Sequence, residues 1–516
     1  MASWCNIFFE GSVYGWTNPL SQAHHLFLNG EEIKELVIPK GVEVIKQWAF
    51  VGCSEFTSIT IPSTVNEICD LAFYKCDKIE RINIEDISAW CNITFHRGNI
   101  FNLQSNPLGT ARHLFLNGSE ITDLVLPSDI TEIKNFAFYG CEGLKSVTIP
   151  SGVTTIGHSS FFFCNNLTTL SLPTSLEKIN ESAFQICKVL SKLNLPEGLK
   201  TIGNSAFSGC SSLSSLEIPN SVTEIGEGAF TSCDGLFTIQ LPEKIQKISS
   251  YLFADCYNLK SIDIPEGVTS IGASAFDGCS ALTAIIIPND VKSIGESAFR
   301  NCDKLETIKM SDNIEEIWNY AFYNCKNISS ISLPNTLKNI RNFSFAKCSS
   351  LSSLTISNVE SIGEYAFNGC SSLPSFDIPN TVIAIGEAAL GYCSSLTRVS
   401  IPSSLQTVPK GLLSWCTNIN EVYCYNENVP STDKNAFINS NVGNAILYVP
   451  EGSIEKYQSR EPWNYFKEIK PLNSSRLTPV LYETKGDKWY DLKGRKLNSE
   501  PSGKGIYINN GKTVLK

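Results

Sequence analysis

The chain has 516 residues, room for three or four ordinary domains or one long repeat array. Only 18% of them are charged, and 41 basic against 51 acidic side chains leave a net charge of −10, which argues against a nucleic-acid phosphate binder and against docking on an anionic membrane surface. No apolar run approaches the roughly 18 residues of a membrane span, and 19 cysteines are too few for a disulfide-stapled scaffold of this length.

The chain opens on SWCNIFFEGSVYGWTNPLSQAHHLFLNGEEIKELVIP, with no basic residue before Lys34 and no apolar signal core. A period then begins. Cys53 and Cys76 are 23 residues apart, and the cysteines from Cys141 to Cys348 follow one another at the same interval. Cys370 comes after 22 residues, then Cys393 and Cys416 after 23 each. Cys5, Cys69, Cys91 and Cys424 stand outside the period.

Most units read L-x-x-I-x-I-P-x-x-V-x-x-I-G-x-x-A-F-x-x-C. The L-x-x-I-x-I segment alternates apolar and polar positions with β-branched residues, so it predicts a short strand that proline ends. The A-F-x-x-C segment predicts one turn of α or 3₁₀ helix on the opposite side of each coil. In the unit from Leu144 to Leu167, the residues Leu144, Val147, Ile149, Val153, Ile156, Phe161, Cys164 and Leu167 all require burial. One unit alone cannot cover that set; only stacked copies can, which predicts a solenoid. Sixteen such strands run from Leu36–Ile38 to Val399–Ile401, with a degenerate seventeenth at Val422–Cys424. At about 4.8 Å per strand they build a curved rod roughly 80 Å long.

The period is interrupted once. Cys76 and Cys141 are 65 residues apart, 19 more than two units take, and a longer module occupies about residues 85–127. Its sequence AWCNITF…LGTARHLFLNG repeats the opening, with Trp4 matching Trp90 and Cys5 matching Cys91. Residues 1–39 therefore read as a truncated copy of the same module, and the sequence as one that starts inside a longer array. Residues 40–424 read as the solenoid and 425–472 as a terminal cap: a strand over Ile446–Val449, then an amphipathic helix from Ser453 as N-cap with Lys456 and Tyr457 on its first turn. Residues 473–481 read as a linker, and 482–516 as a few small β-strands between Gly turns.

From Leu36 to Cys424 the alternation I-P…V…I-G…A-F…C resembles the leucine-rich repeat family in its BspA (Treponema) type. The departures are Ser311 and Ser357 in place of proline, and Ala389-Leu390 and Leu412-Leu413 in place of Ala-Phe. The resemblance implies an α/β solenoid of about 16–17 coils, with parallel strands on the concave face and short helical turns on the convex face. It also implies bacterial cell-surface display or secretion, and adhesion to another protein, host matrix or plasma proteins among them. The segment YDLKGR…GIYI…GK faintly resembles a type IX secretion sorting domain.

Chemistry is sparse. The cysteine spacing does not fit zinc, whose ligand pairs lie two to four residues apart. Neighbouring thiols on stacked coils point the same way, which disfavours disulfides. The expected role is a small buried hydrophobe with a weak S–H donor to turn carbonyls. His24, His25 and His113 have no cysteine or carboxylate at ligand spacing. No phosphate loop, nucleophile elbow or H-E-x-x-H occurs, so neither an enzyme nor a cofactor is implied.

Two surfaces remain as candidates. One is the strand face, with outward rows running through Thr148, Gln240, Asp263 and Ser400 and through Ser146, Thr238, Ser261 and Arg398; its centre is Thr238, Gln240, Ser261 and Asp263. The other is the inserted module, with Trp90, Phe95 and Phe101 (and Tyr14 and Trp16 in the first copy) either exposed as a binding loop or folded back as a local core. The leading expectation is a non-enzymatic protein-binding scaffold. A self-associating envelope protein and an accessory glycan-binding module are its rivals.

Overall fold

Every 23-residue unit closes one turn of a stack in which like residues meet like. The computed structural model describes residues 1–7, 9, 18–96, 105–472, 489–490, 506–509 and 512–515. In it the expected strands form and pair in parallel at one-unit offsets: Val147 lies beside Leu170, Leu216 beside Ile239 and Ile285 beside Ile308. Between Leu170 and the next full strand the pairing shrinks to a single bridge, Thr169 to Lys192. The solenoid has about 19 turns rather than 16–17. The excess comes from strands outside the 23-residue period: Leu114–Leu116 in the inserted module, and Ile446–Val449 and Glu468–Pro471 in the cap.

The sequence reading missed a second strand in each coil. The V-x-x-I segment forms a two-residue strand, such as Thr155–Ile156, which pairs in parallel with Lys178–Ile179 and with Glu132–Ile133. A run of two residues is too short to carry an alternating pattern, so periodicity cannot reveal it.

The expected helical turn is corrected in kind. Among the described residues, helices occur only in the two long modules and the cap. In the turn 157–164, the N–H groups of Ser160, Phe162 and Cys164 bond back three residues, while those of Ser159, Phe161 and Phe163 donate to Glu181, Ala183 and Gln185 of the next coil. Ser159 and Phe163 sit at φ of 50° and 61°, which breaks any helical path. The turn thus divides its donors between itself and its neighbour, and that neighbour bond is what a free helix would forgo.

The core is a set of ladders. Phe138, Phe161, Phe184, Phe207 and Phe230 stack with ring centroids 5.2–5.7 Å apart, and the column continues through Phe276 to Phe367. Burying one such ring contributes about 1.5–3 kcal/mol before ordering costs.

The two long modules fold alike. Each makes an antiparallel hairpin, Phe27–Leu28 with Glu31–Glu32 and Leu114–Leu116 with Ser119–Glu120. Its Asn-Gly turn has positive φ at both positions, 55° and 90° at Asn29-Gly30 and 51° and 85° at Asn117-Gly118. That is the type I′ geometry whose twist suits a two-residue hairpin. Trp4 Nε1 donates to Ala49 O (2.7 Å) and Trp90 Nε1 to Ala137 O (2.9 Å). Asn18 and Asn106 likewise donate to Trp48 O and Phe136 O. Both modules therefore plug turn carbonyls of a later coil.

At the other end, Ile446–Val449 extends the strand row from Glu421–Cys424, and Glu468–Pro471 is added beyond it. The cap helix is only Ile454–Gln458, and Ser453 makes no capping bond. Its hydroxyl donates instead to Glu427 O at 2.6 Å, tying the cap to the preceding loop. Trp463 is fully buried against Phe437 and Phe466, and the buried Tyr457 ring packs edge-on against Trp463. In the tail, Trp489–Tyr490, Ile506–Asn509 and Lys512–Leu515 form an antiparallel sheet. No helix among the described residues is long and apolar enough to cross a membrane.

Candidate binding surfaces

Alternation within each strand sets the outer face. Ile239 and Ile262 point inward, so Thr238, Gln240, Ser261 and Asp263 point out, and all four are exposed. Parallel pairing puts Thr238 directly beside Ser261, so the four residues share one patch. The rows above and below continue it with Ser215, Glu217, Ala284, Thr307 and Lys309, all exposed. Ile286 is an apolar island in the same row, 58% exposed.

The row is corrected at one end. Ser400, expected outside, is buried and donates to Asp377 Oδ1 at 2.9 Å, while Arg398 Nη2 holds Asp377 Oδ2 at 2.8 Å. Asp377 is therefore engaged within the surface. Glu217 and Asp263 stand two coils apart on a solvated face, with no second carboxylate beside either to form an acid–base pair.

The inserted module does not present Trp90 or Phe95. Trp90 is 1% and Phe95 5% exposed, and both belong to the main core with ring centroids 5.3 Å apart. The exposed-loop expectation fails for these two because their rings fill the space above the following coil. Phe101, Tyr14 and Trp16 lie outside the described residues. Two of these histidines have acidic partners: His25 meets Glu32, and His113 Nδ1 lies 2.6 Å from Glu120 Oε1, whereas His24 Nδ1 lies 3.0 Å from Gly52 O. Each glutamate is seven residues on, across the Asn-Gly turn, a distance that ligand-spacing rules do not search.

The periodic thiols behave as expected. Cys164 Sγ donates to Phe138 O at 3.3 Å, Cys279 to Phe253 O at 3.2 Å and Cys325 to Phe299 O at 3.0 Å, each 26 residues back, and Cys370, after the 22-residue unit, to Phe345 O 25 residues back. Burial pushes the thiols of Cys141, Cys210 and Cys256 up to about 12. Such thiols are neither nucleophiles nor ready ligands. Cys69 is different: of the 19 cysteines it alone is only half-buried. Its Sγ lies 3.5 Å from Glu67 Oε1, and that oxygen is 2.9 Å from His96 Nε2.

The comparisons with known proteins agree with this architecture. No curated protein matches the chain. A leucine-rich repeat protein from Bacteroides ovatus is similar in structure, with 28% identity, a TM-score of 0.51, 60% of this chain and 91% of that chain covered. A leucine-rich repeat protein from T. pallidum shares 40% identity over 31% of this chain and 78% of that one, with a TM-score of 0.31. A leucine-rich cell surface protein from Faecalibacterium prausnitzii shares 26% identity over 77% of this chain and 88% of that one, with a TM-score of 0.34. The model of the BspA type leucine rich repeat region matches in six copies, at residues 23–106, 110–236, 178–284, 200–328, 269–361 and 338–458. Those matches span the periodic coils, most of the inserted module and the end of the first, and with the stacked Phe and Cys ladders they make this chain a member of the BspA-type leucine-rich repeat family.

Proposed function

We propose that the protein is a non-enzymatic scaffold at the surface of a bacterium, or secreted from it, that adheres to another protein through its strand face. The observation that carries this reading is the patch of Thr238, Gln240, Ser261 and Asp263, continued by exposed hydroxyl and amide side chains along neighbouring coils. A rigid row of this kind binds by many weak, aligned hydrogen bonds, each contributing little and the sum depending on register. Ile286 adds an apolar anchor at its centre. Host matrix and plasma proteins are the partner class that the family relationship favours. The deciding experiment immobilises the full chain and captures partners from purified extracellular matrix and plasma proteins. The reading expects saturable capture that a Thr238→Lys, Gln240→Lys, Ser261→Lys, Asp263→Lys variant loses. Capture of only the chain itself would instead favour a self-associating envelope protein.

A further inference from the structure

The position after the isoleucine of the second strand is small in many coils because the backbone of the coil before it is close. A Cβ on Gly157 would lie 2.5 Å from Ile133 O, and one on Gly203 2.5 Å from Glu181 N. In two adjacent coils that position carries Cys69 and His96 instead. Glu67–Ile68 and Thr94–Phe95 pair in parallel, Ile68 beside Phe95, and His96 N donates to Ile68 O at 3.2 Å. The next residue of each strand, Cys69 and His96, therefore comes side by side, with Glu67 on the same edge.

A thiol, an imidazole and a carboxylate thus offer one ligand atom each within 4.8 Å of one another. Zn²⁺ takes sulfur at about 2.3 Å and nitrogen or oxygen at about 2.0–2.2 Å, so tetrahedral ligands stand about 3.5 Å apart, and small side-chain rotations close this set on one ion. Two anionic ligands balance the charge of a divalent cation, the mixed S, N, O set suits a borderline-soft one, and a fourth position opens to water. The side chains of His96 and Glu67 are 42% and 34% exposed, which gives an entry path. The following residue, Asp70, keeps Oδ1 buried with no hydrogen-bond partner among the described residues, an acceptor left over at this edge.

We propose that Glu67, Cys69 and His96 form a zinc site that ties the long module to the coil before it. Binding replaces the Cys69 S–H bond by a Zn–S bond and releases that proton to solvent; no electron is transferred. The thirteen ladder thiols that donate to carbonyls cannot compete, since each is closed in the core.

The test uses the chelator-stripped full chain. Titration with Zn²⁺ by calorimetry, and with Co²⁺ by its thiolate charge-transfer absorbance, is expected to give one ion per chain. Cys69→Ser and His96→Gln are expected to weaken binding at least about tenfold, while His25→Gln leaves it unchanged. Zn²⁺ is expected to raise Tm in the native chain and not in Cys69→Ser. A second readout needs no variant: iodoacetamide labelling of Cys69, mapped by mass spectrometry, should slow when Zn²⁺ is added. No binding at micromolar metal, binding untouched by Cys69→Ser, or unchanged labelling would each overturn the site.

Discussion

Cys279 shows how a single side chain serves the stack. Its Sγ points into the core, fills the space of a small apolar group and donates to Phe253 O of the preceding coil. Thiol titration of the native chain should count few groups, Cys69 first among them, and all 19 after denaturation; mostly disulfides by mass spectrometry would refute the ladder. The same burial makes stability depend on pH. The folded state keeps the thiols of Cys141, Cys210 and Cys256 protonated up to about 12, whereas unfolded thiols ionise near the ordinary value of 9.0. Their contribution is present in full below that value and is lost as pH rises toward 12, at up to about 1.4 kcal/mol per pH unit per thiol. Denaturation midpoints should thus hold steady near neutrality and fall above pH 9, with a shallower fall in a Cys210→Ala, Cys256→Ala variant. Ser311 shows how a departure from the repeat is absorbed: the hydroxyl donates to Val291 O and accepts from Asn313 N, at 3.2 and 3.0 Å.

At the scale of the element, the turn and the ring column are the parts that stacking builds. Phe276 lies between Phe253 and Phe299, with centroids 5.5 and 5.1 Å away. Phe276→Ala should cost about 3–5 kcal/mol, read by chemical denaturation, because neighbours fixed by their own coils cannot collapse into the cavity. Phe50 stacks face to face only on Phe73, so Phe50→Ala should cost less. The opposite error, filling space, is tested at Gly272, where a Cβ would lie 2.5 Å from Ser250 N. Gly272→Val should cost about 1–3 kcal/mol or more, since the obstacle is backbone. The long strands and the inward set of Leu144 to Leu167 were legible, because alternation and period act together there. The second strand, the bonds that link successive turns and the packing of Trp90 were not, since each depends on a partner 22 to 47 residues away. The patch around Gln240 was legible for the same reason as its strand. Glu67, Cys69 and His96 become visible only when the long module is aligned on the coil before it, which puts Cys69 and His96 in one register position.

For the whole molecule, the strand face offers mainly hydroxyls and amides and carries little charge. Long-range steering is therefore weak, and affinity for a protein partner should change little between low and physiological salt. Surface plasmon resonance across that range checks this, and a steep dependence would move the contact to a charged surface elsewhere. Stability of such an array is a sum of coil terms and nearest-neighbour terms. Losses from distant variants such as Phe161→Ala and Phe367→Ala should therefore add.

The division of donors in each turn has a mechanical consequence. Backbone bonds between coils run along the stacking direction, so a pull on the two ends loads them coil by coil rather than all at once. Peeling one coil breaks its bonds to a single neighbour and frees 23 residues, about 80 Å of extended chain. Under tension the rod would lengthen in steps of that size, yielding as a shock absorber does while the remaining coils keep their grip.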